Sequence, residues 1–432
     1  MLKTEIESGL KRKPRLAEMI FTVASLVLLQ GGFLGFLGTG DPTDPSSGVL
    51  LLQAIWACIY ATVFFLLARH RKDVAIRLFK PSWVGALLSL ALLSAMWSTA
   101  PILTMRRGVA VIGTSIFGVY LASRYETRMQ LCLLASSFSI GAAASLAFAV
   151  LGLGTCPVLS THDTGWCGIF LQKNRLGESM ALAVPVFILL ARAAPSGKMF
   201  LRCCGVGCLV LLLISDSKTF LVASLACLPL LFCGSALRGN GIRLLRSVAA
   251  IVLVVFSAVF AMFRGVGLAD AANGITSTLG RNITLTGRLE LWVLSTVMAL
   301  RRPWLGYGYN GFWLGFAGPS AAIWRVLYWK PVYAHNGILE LWLDLGLLGV
   351  AVFACGYVIQ VVRATRHMRR NSSAEALWPL TLIVFMTFCN FTESSLLATN
   401  DLLWALYVGT FVALSPQCVI SADKRFPAAE RA

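Results

Sequence analysis

Long apolar runs recur along most of this chain, and no other feature constrains its fold as much. Twelve of them have the length of about 15–25 residues that a helix needs to cross a hydrocarbon core of roughly 30 Å. They lack the alternation of polar and apolar residues that marks a membrane β-strand, so helices are expected. With 57% hydrophobic and 13% charged residues among 432, the composition is not that of a soluble globular protein. The predicted spans are Ala17–Leu37, Val49–Leu67, Ser82–Trp97, Arg107–Ser123, Met129–Leu151, Leu176–Arg192, Phe200–Ile214, Thr219–Ala236, Arg246–Phe263, Ile338–Val362, Leu377–Asn390 and Asp401–Leu414.

Basic residues predict the orientation of the spans, because the cytoplasmic loops of membrane proteins are enriched in Lys and Arg. The clearest cytoplasmic anchors are RHRK at Arg69–Lys72 and RATRHMRR at Arg363–Arg370. An even number of spans with both termini in the cytoplasm fits every loop. The net charge of +18 then reflects topology and anionic headgroups rather than nucleic acid. We predict one all-α integral membrane domain over residues 1–432, with about 12 transmembrane helices and one long periplasmic loop at residues 264–337.

The end of the long loop and the span after it hold a dense set of polar residues. Arg288 lies in TGRLELW, glycines follow in PWLGYGYNGF, and His335 opens HNGILELWLDLGLLG. The glycines are expected to form turns, since no strand–helix unit surrounds them as in a phosphate-binding loop. Polar groups are costly between lipid-facing helices and are therefore usually functional. We predict that this segment carries the active site, with Arg288 and His335 as its catalytic residues.

Cations also recur at the outer ends of several predicted helices, on the side that positive charge normally avoids. A single Lys or Arg there is most simply an anchor whose charged end reaches the headgroups. Several such ends together suit a diphosphate, and the planar guanidinium of Arg matches phosphate oxygens. The predicted substrate-binding residues are Arg106, Arg107, Lys173, Asn174, Arg175, Lys218, Asn336, Glu340 and Glu393.

The placement of the cysteines argues against a disulfide framework. Most of the 12 cysteines fall in or beside predicted spans, where a free thiol is a small apolar residue. Cys156 and Cys167 flank an outside loop, where an oxidising compartment permits a disulfide; two unpaired thiols are the alternative. No spacing of Cys and His resembles a metal site, so no metal is expected.

The polar motifs and their order resemble the signature region of the bacterial O-antigen ligase and Wzy-type polysaccharide polymerase superfamily. The matching pattern is a Gly-Arg pair before a Trp, a P-x-x-G-x-G turn, and His335 followed by Gly346. WSTAP, KNRLG, SDSKT and NFTES match as well, so the resemblance runs from about residue 95 to 405. Lys218 stands where ligases of the family usually carry Arg, and Val222 where Leu is expected. These departures favour the exopolysaccharide-polymerase-like members over lipid A core ligases.

The resemblance implies a GT-C-like glycosyltransferase of the bacterial inner membrane that uses neither a metal nor another cofactor. It would transfer a glycan from undecaprenyl diphosphate to a hydroxyl of an acceptor glycan on the periplasmic face, with inversion at the anomeric carbon. Arg288, Arg175 and Lys218 would stabilise the diphosphate, and His335 would orient the acceptor and accept its proton. Membrane lipids and polysaccharide chain-length or export proteins are the expected further partners.

Several alternatives stay open from the sequence alone. His335 could cap its helix, and Arg288 could pair with Glu290. Glu340 and Asp344, one turn apart, could orient the histidine or pair with cations across the bundle. A lipid-linked glycan flippase or other multi-span transporter is the main alternative function, and a non-catalytic envelope partner is another. An enzyme needs one polar pocket at the outer side of the membrane, whereas a transporter needs a path lined by polar residues at both the outer and the inner side.

Overall fold

The computed structural model describes residues 14–37, 49–70, 82–152, 166–237 and 286–415. Within these ranges the regular structure is helical, and Gly32 and Phe170 form one isolated β-bridge. Five of the described helices are long and apolar enough to cross a membrane, and five shorter apolar helices accompany them. Numbered along the described chain, the helices are α1 (Leu16–Leu29), α2 (Leu50–His70), α3 (Trp83–Leu93), α4 (Pro101–Arg124), α5 (Thr127–Val150), α6 (Lys173–Ala193), α7 (Lys198–Ile214), α8 (Lys218–Leu237), α9 (Thr286–Arg301), α10 (Ala321–Trp324), α11 (Gly337–Arg370), α12 (Trp378–Cys389) and α13 (Leu402–Ala413).

The prediction of an all-helical fold is confirmed for the described residues, and five of their helices are long and apolar enough to span a membrane. All but one of the predicted spans coincide with helices α1–α8 and α11–α13. The remaining span, Arg246–Phe263, lies outside the described residues. The total of twelve spans, their orientation and the extent of the periplasmic loop therefore stay predictions. The first helix ends at Leu29 rather than Leu37, because Gly31 and Phe33 adopt left-handed backbone angles with φ of +89° and +61°.

Helix α13 packs against α4 where the side chains are too small to keep the backbones apart. A Cβ atom on Gly118 of α4 would clash with the carbonyl oxygen of Ala405, and Gly409 faces the same crossing. The indole N–H of Trp404 donates to Ser115 Oγ at 3.0 Å and links the same two helices. Contact between small residues, supported by a side-chain hydrogen bond, is a usual way to join helices in a membrane. The crossing holds the start of α13, which lies at the functional site, against α4.

Helix α11 contains a sharp kink at Gly346, where the backbone adopts φ of +69° and ψ of −171°. Such angles interrupt the hydrogen bonds of the helix and leave N–H and C=O groups without helical partners. The glycine-rich loop at residues 303–308 supplies those partners and lies directly against the kink. The four backbone hydrogen bonds are Tyr307 N–H to Leu343 O (2.8 Å), Gly308 N–H to Asp344 O (3.0 Å), Leu347 N–H to Pro303 O (2.7 Å) and Leu348 N–H to Trp304 O (3.2 Å).

Two glycines of this loop make the close approach geometrically possible. Gly306 and Gly308 adopt φ of +65° and +91°, a region that residues with a side chain rarely occupy. A Cβ atom on Gly306 would also clash with the backbone of Leu343 and Asp344. The glycines shape a turn, so the interpretation of this motif as turn-forming is confirmed. The loop is thereby joined to α11 on both sides of the kink.

Gly346→Ala should lower the unfolding temperature of the purified protein in detergent by several degrees. A left-handed backbone costs a residue with a Cβ atom about 1–2 kcal/mol, and here that atom would also clash with the backbone of Trp304. Gly207→Ala on α7 is the matched control, since a Cβ atom there meets nothing within 4 Å. Equal unfolding temperatures for the two variants would contradict the structural role of the kink.

Candidate active site

A cavity of about 290 Å³ lies between α4, α6 and α11, at the loops that precede α11 and α13. Charged groups are costly among apolar helices, so their convergence on one cavity marks a candidate active site. Five residues predicted to bind substrate line it: Arg107, Asn174, Arg175, Glu340 and Glu393. Glu178 and Asp344 are further charged residues in the lining.

Glu393 is the centre of the hydrogen bonding at this cavity. The residue is 8% exposed and lies in the loop between α12 and α13. Its Oε1 accepts from Asn174 Nδ2 and from Arg288 Nη2, both at 3.0 Å. Its Oε2 accepts from the Tyr333 hydroxyl at 3.2 Å and contacts His335 Nδ1 at 3.3 Å. One carboxylate thus joins the start of α6, the start of α9 and the segment before α11.

The surroundings of Glu393 determine its charge and the tautomer of His335. Burial by itself would raise the pKa of Glu393, but the hydrogen bond and charge of His335 and the charge of Arg288 outweigh it. The pKa of this carboxyl therefore lies below its ordinary value of 4.5, and the group is ionised at neutral pH. An ionised carboxylate only accepts hydrogen bonds, so Nδ1 of His335 carries the proton in this contact. In the neutral imidazole, Nε2 is then the nitrogen that can accept a proton.

The loop that carries Glu393 is organised by Asn390. The Oδ1 atom of Asn390 accepts from the Ser395 and Leu396 N–H groups at 2.9 and 3.2 Å. Its backbone carbonyl accepts from the Gly337 N–H at 2.9 Å, which ties the loop to the first residue of α11. A Cβ atom on Gly337 would clash with the Asn390 amide, so this contact requires glycine. The carboxylate and the start of α11 are therefore held in a defined relation.

His335 occupies a constrained position just before α11. Its backbone adopts φ of +50°, a left-handed angle that is uncommon for a residue with a side chain. Its ring packs on Tyr333, with centroids 4.1 Å apart, and lies near Trp329 at 5.7 Å. The N-cap of α11 is Asn336, whose Oδ1 accepts from backbone N–H groups of the first turn. The alternative in which His335 caps the helix is therefore wrong, and the predicted substrate-binding Asn336 is engaged as the cap.

A second ion-pair cluster lines the cavity at the start of α6. Nη1 of Arg175 lies 3.0 Å from Glu178 Oε2 and 2.9 Å from Asp401 Oδ2. The other oxygen of Asp401 accepts from the Trp404 N–H and caps α13. The two carboxylates hold the guanidinium in place at the cavity wall.

A third set of polar contacts joins α4 and the start of α11 to the segment between α9 and α11. Arg107 Nη1 donates to Asn310 Oδ1 at 2.5 Å. Glu340 accepts from the Ala334 N–H at 2.5 Å and from Trp313 Nε1 at 3.1 Å. These contacts bind the start of α11 to the loop segments on either side of α10.

The contacts answer two questions that the sequence left open. Arg288 pairs with Glu393 rather than with Glu290 on its own helix. The carboxylate in contact with His335 is again Glu393, and the interpretation in which Glu340 orients the histidine is wrong. Both answers depend on a loop that lies far along the chain from these residues.

Arg288 and His335 contact Glu393 of the cavity lining but are not themselves among the described lining residues. Three further predicted site residues also lie apart from the lining. Lys218 at the start of α8 and Arg106 on α4 are exposed, and Lys173 at the start of α6 is half-buried. Their part in substrate binding stays a prediction. Conversely, Tyr333 and Asn310 contact site residues although no sequence pattern singles them out. The position of Tyr333, two residues before the histidine, is the one available signal.

The cysteines follow the expected distribution as far as the structure describes them. Eight are free thiols in helices of the described ranges. Cys167 is disulfide-bonded. Cys156 lies outside the described residues, so the pairing of Cys156 with Cys167 stays a prediction.

Comparison with known proteins finds similarity to one class of protein. Residues 203–354, which include Arg288 and His335, match the family model described as O-antigen ligase. Over 287 residues the chain is 26% identical to the "Exopolysaccharide production protein ExoQ" of Rhizobium meliloti (strain 1021), covering 62% of this chain and 61% of that relative. The chain thus spans about three fifths of the length of the curated relative. The predicted resemblance to the O-antigen ligase and polymerase family is confirmed.

Glu393→Gln should destabilise the protein in a pH-dependent way. Because the pKa of Glu393 is lowered in the folded protein, its charge adds stability above the ordinary value of 4.5. That contribution is lost as the pH falls through the lowered pKa. The unfolding temperature of the variant should be several degrees below wild type at neutral pH, and the difference should narrow below pH 4.5.

The matched control is Glu290→Gln on the exposed face of α9. This variant should have the unfolding temperature of wild type at every pH. A difference for Glu393→Gln that stays constant from neutral to acidic pH would contradict a role based on charge.

Proposed function

We propose that this protein is a membrane glycosyltransferase that transfers or polymerises a glycan carried on undecaprenyl diphosphate, onto a hydroxyl of an acceptor sugar. The observation that carries the proposal is the buried Glu393 carboxylate, which binds both Arg288 and His335 at a polar cavity. This arrangement combines cations suited to a leaving diphosphate with an imidazole suited to a hydroxyl proton. The family resemblance supports the same substrate class.

The donor diphosphate would bind at Arg288 and Arg175. Each guanidinium has five N–H donors, and the contacts to carboxylates use Nη2 of Arg288 and Nη1 of Arg175. Because their carboxylate partners already hold these side chains, little ordering remains when the substrate arrives. Negative charge grows on the diphosphate as the sugar–phosphate bond breaks, and donors that are already oriented stabilise it best. Lys218, at the start of α8, would add positive charge nearby.

His335 would act as the general base toward the acceptor. Ionised Glu393 keeps the proton of the imidazole on Nδ1, so Nε2 takes the proton of the acceptor hydroxyl. The hydroxyl oxygen forms a bond to the anomeric carbon while the bond from that carbon to the diphosphate breaks. The electron pair of the broken bond leaves with the diphosphate. Direct displacement of this kind inverts the anomeric configuration.

We place the cavity at the periplasmic face of the bacterial inner membrane, with both termini in the cytoplasm. The distribution of Lys and Arg supports this orientation. Polymerisation of an exopolysaccharide is favoured over ligation to lipid A core, because Lys218 departs from the ligase pattern and the ExoQ relative is named for exopolysaccharide production. Polysaccharide chain-length or export proteins are then the expected partners.

His335→Ala should reduce glycan transfer by about 10²–10⁴-fold, the usual contribution of a general base. The measurement is the glycan profile of cells that lack the native protein and carry wild type, His335→Ala or His367→Ala. His367 lies in the last turn of α11 and provides the matched histidine control. Full activity of His335→Ala would contradict the catalytic role and favour a transporter.

The same glycan profile distinguishes a polymerase from a ligase. Single lipid-linked repeats that accumulate in the His335→Ala strain indicate a polymerase, because chain growth is the step that fails. Long lipid-linked chains that never reach an acceptor indicate a ligase.

Arg288→Lys should lower transfer by about tenfold to a hundredfold although the charge is preserved. Lys cannot present the two parallel N–H groups with which Arg binds phosphate oxygens. Arg301→Lys, exposed at the end of α9, is the matched control and should retain wild-type transfer by purified protein. Wild-type activity of Arg288→Lys would show that charge alone suffices at this position.

A further inference from the structure

Asp344 on α11 presents a buried oxygen that no described residue satisfies. The residue is 4% exposed and lines the cavity, and its Oδ1 has no hydrogen-bond partner in the described part of the chain. The backbone N–H of Asn310 faces the same carboxylate. An unpaired carboxylate oxygen among membrane helices is expensive, so its presence calls for a ligand or another physical reason.

Three polar side chains accompany Asp344 in the cavity lining, and together with it they form what we call the acidic cluster. They are Glu340, one turn earlier on α11, Arg107 of α4 and Asn310. Arg107 donates to Asn310 Oδ1 at 2.5 Å and interacts electrostatically with both carboxylates. The cluster thus offers acceptors and donors that face one space.

The hydrogen-bonding groups of the acidic cluster indicate what it can bind. Two carboxyl groups accompany one guanidinium, so the cluster offers mainly hydrogen-bond acceptors, is unsuited to a phosphate and differs from the arginines near Glu393. A neutral molecule with many hydroxyl groups fits better, because hydroxyls donate to carboxylates and accept from Arg and Asn. Sugars have this chemistry.

The acidic cluster also lies close to the proposed base. Glu340 accepts a hydrogen bond of 2.5 Å from the N–H of Ala334, the residue that precedes His335. A sugar bound by Glu340 and Asp344 would therefore lie near the segment that carries His335. Its hydroxyl could then reach His335 while the diphosphate is held at Arg288.

We propose that Asp344, together with Glu340, binds the acceptor glycan, with a sugar hydroxyl donating to Asp344 Oδ1. The inference rests on the proposed glycosyltransferase function and divides the cavity into two subsites. The acceptor occupies the acidic cluster, and the donor diphosphate occupies Arg288 and Arg175. Asp344 is then a specificity-determining residue, because it selects acceptors by the position of their hydroxyls.

The test uses the purified full-length protein, a lipid-linked repeat as donor, and the same oligosaccharide released from its lipid as a soluble acceptor. Asp344→Asn keeps the size of the side chain but replaces an accepting oxygen with a donating amide. The KM for the soluble acceptor should rise about tenfold or more, because the hydrogen bond that Asp344 Oδ1 accepts from the sugar is lost and a donor faces the sugar hydroxyl instead. The kcat at saturating acceptor and the KM for the donor should change less than about twofold.

Two more variants complete the series. Glu340→Gln should raise the same KM and carries the test if Asp344→Asn does not fold. Glu290→Gln on the exposed face of α9 is the control and should leave every constant unchanged. A fall in kcat alone, with unchanged acceptor KM in both cluster variants, would overturn the acceptor site and assign these residues to bond formation.

Direct binding of the soluble oligosaccharide, measured by equilibrium dialysis, separates this inference from the proposed function. Binding that depends on Asp344, in a protein that shows no transfer, would support the site and reject the glycosyltransferase. Transfer by wild type, with unchanged binding and KM in both cluster variants, would overturn the acceptor site and leave the proposed function intact. Failure of wild type to bind the oligosaccharide would also overturn the site.

Discussion

The buried carboxylate of Glu393 is the interaction on which the rest of the site depends. It accepts from donors on α6, on α9 and on the segment before α11, and so brings three separate stretches of chain to one cavity. A buried charge is tolerated only where its partners compensate for lost solvation, and here Arg288 and His335 do so. The same compensation keeps the carboxylate ionised. Its charge in turn determines which nitrogen of His335 carries the proton, so the packing of the site and its proposed chemistry have one physical origin.

Two features of the backbone hold that carboxylate and its partners in fixed relative positions. Asn390 folds the loop of Glu393 and binds the first residue of α11 through its carbonyl group. The kink at Gly346 opens α11 to the glycine-rich loop, which satisfies the backbone groups that the kink releases. Both features use glycine where a side chain would clash. The motif glycines are therefore explained by close backbone contact.

The helices and the charged residues of the site were largely predictable, whereas their partners were not. Long apolar runs leave little choice but membrane helices, and polar residues such as Arg288 and His335 stand out against them. Spacing along one helix, however, placed Glu340 and Asp344 closest to the histidine. The carboxylate that contacts it is Glu393, 58 positions away, and such a pairing depends on how loops fold over the helices. The unpartnered oxygen of Asp344 likewise depends on packing that one sequence does not reveal.

The kink also determines which parts of the chain are held together by backbone hydrogen bonds. Helix α11 is continuous in the chain, and the loop at residues 303–308 is hydrogen-bonded to it on both sides of Gly346, at Leu343 and Asp344 before the kink and at Leu347 and Leu348 after it. The loop and the residues around the kink therefore form one hydrogen-bonded unit. A chimera of two relatives that is cut at the start of α11 would separate these residues from the loop that supports them. A cut beyond Leu348 would keep the loop and the kink together, provided that the Asn390 loop comes from the same parent. The segments that a chimera must take from one parent are thus adjacent in space but separated in sequence.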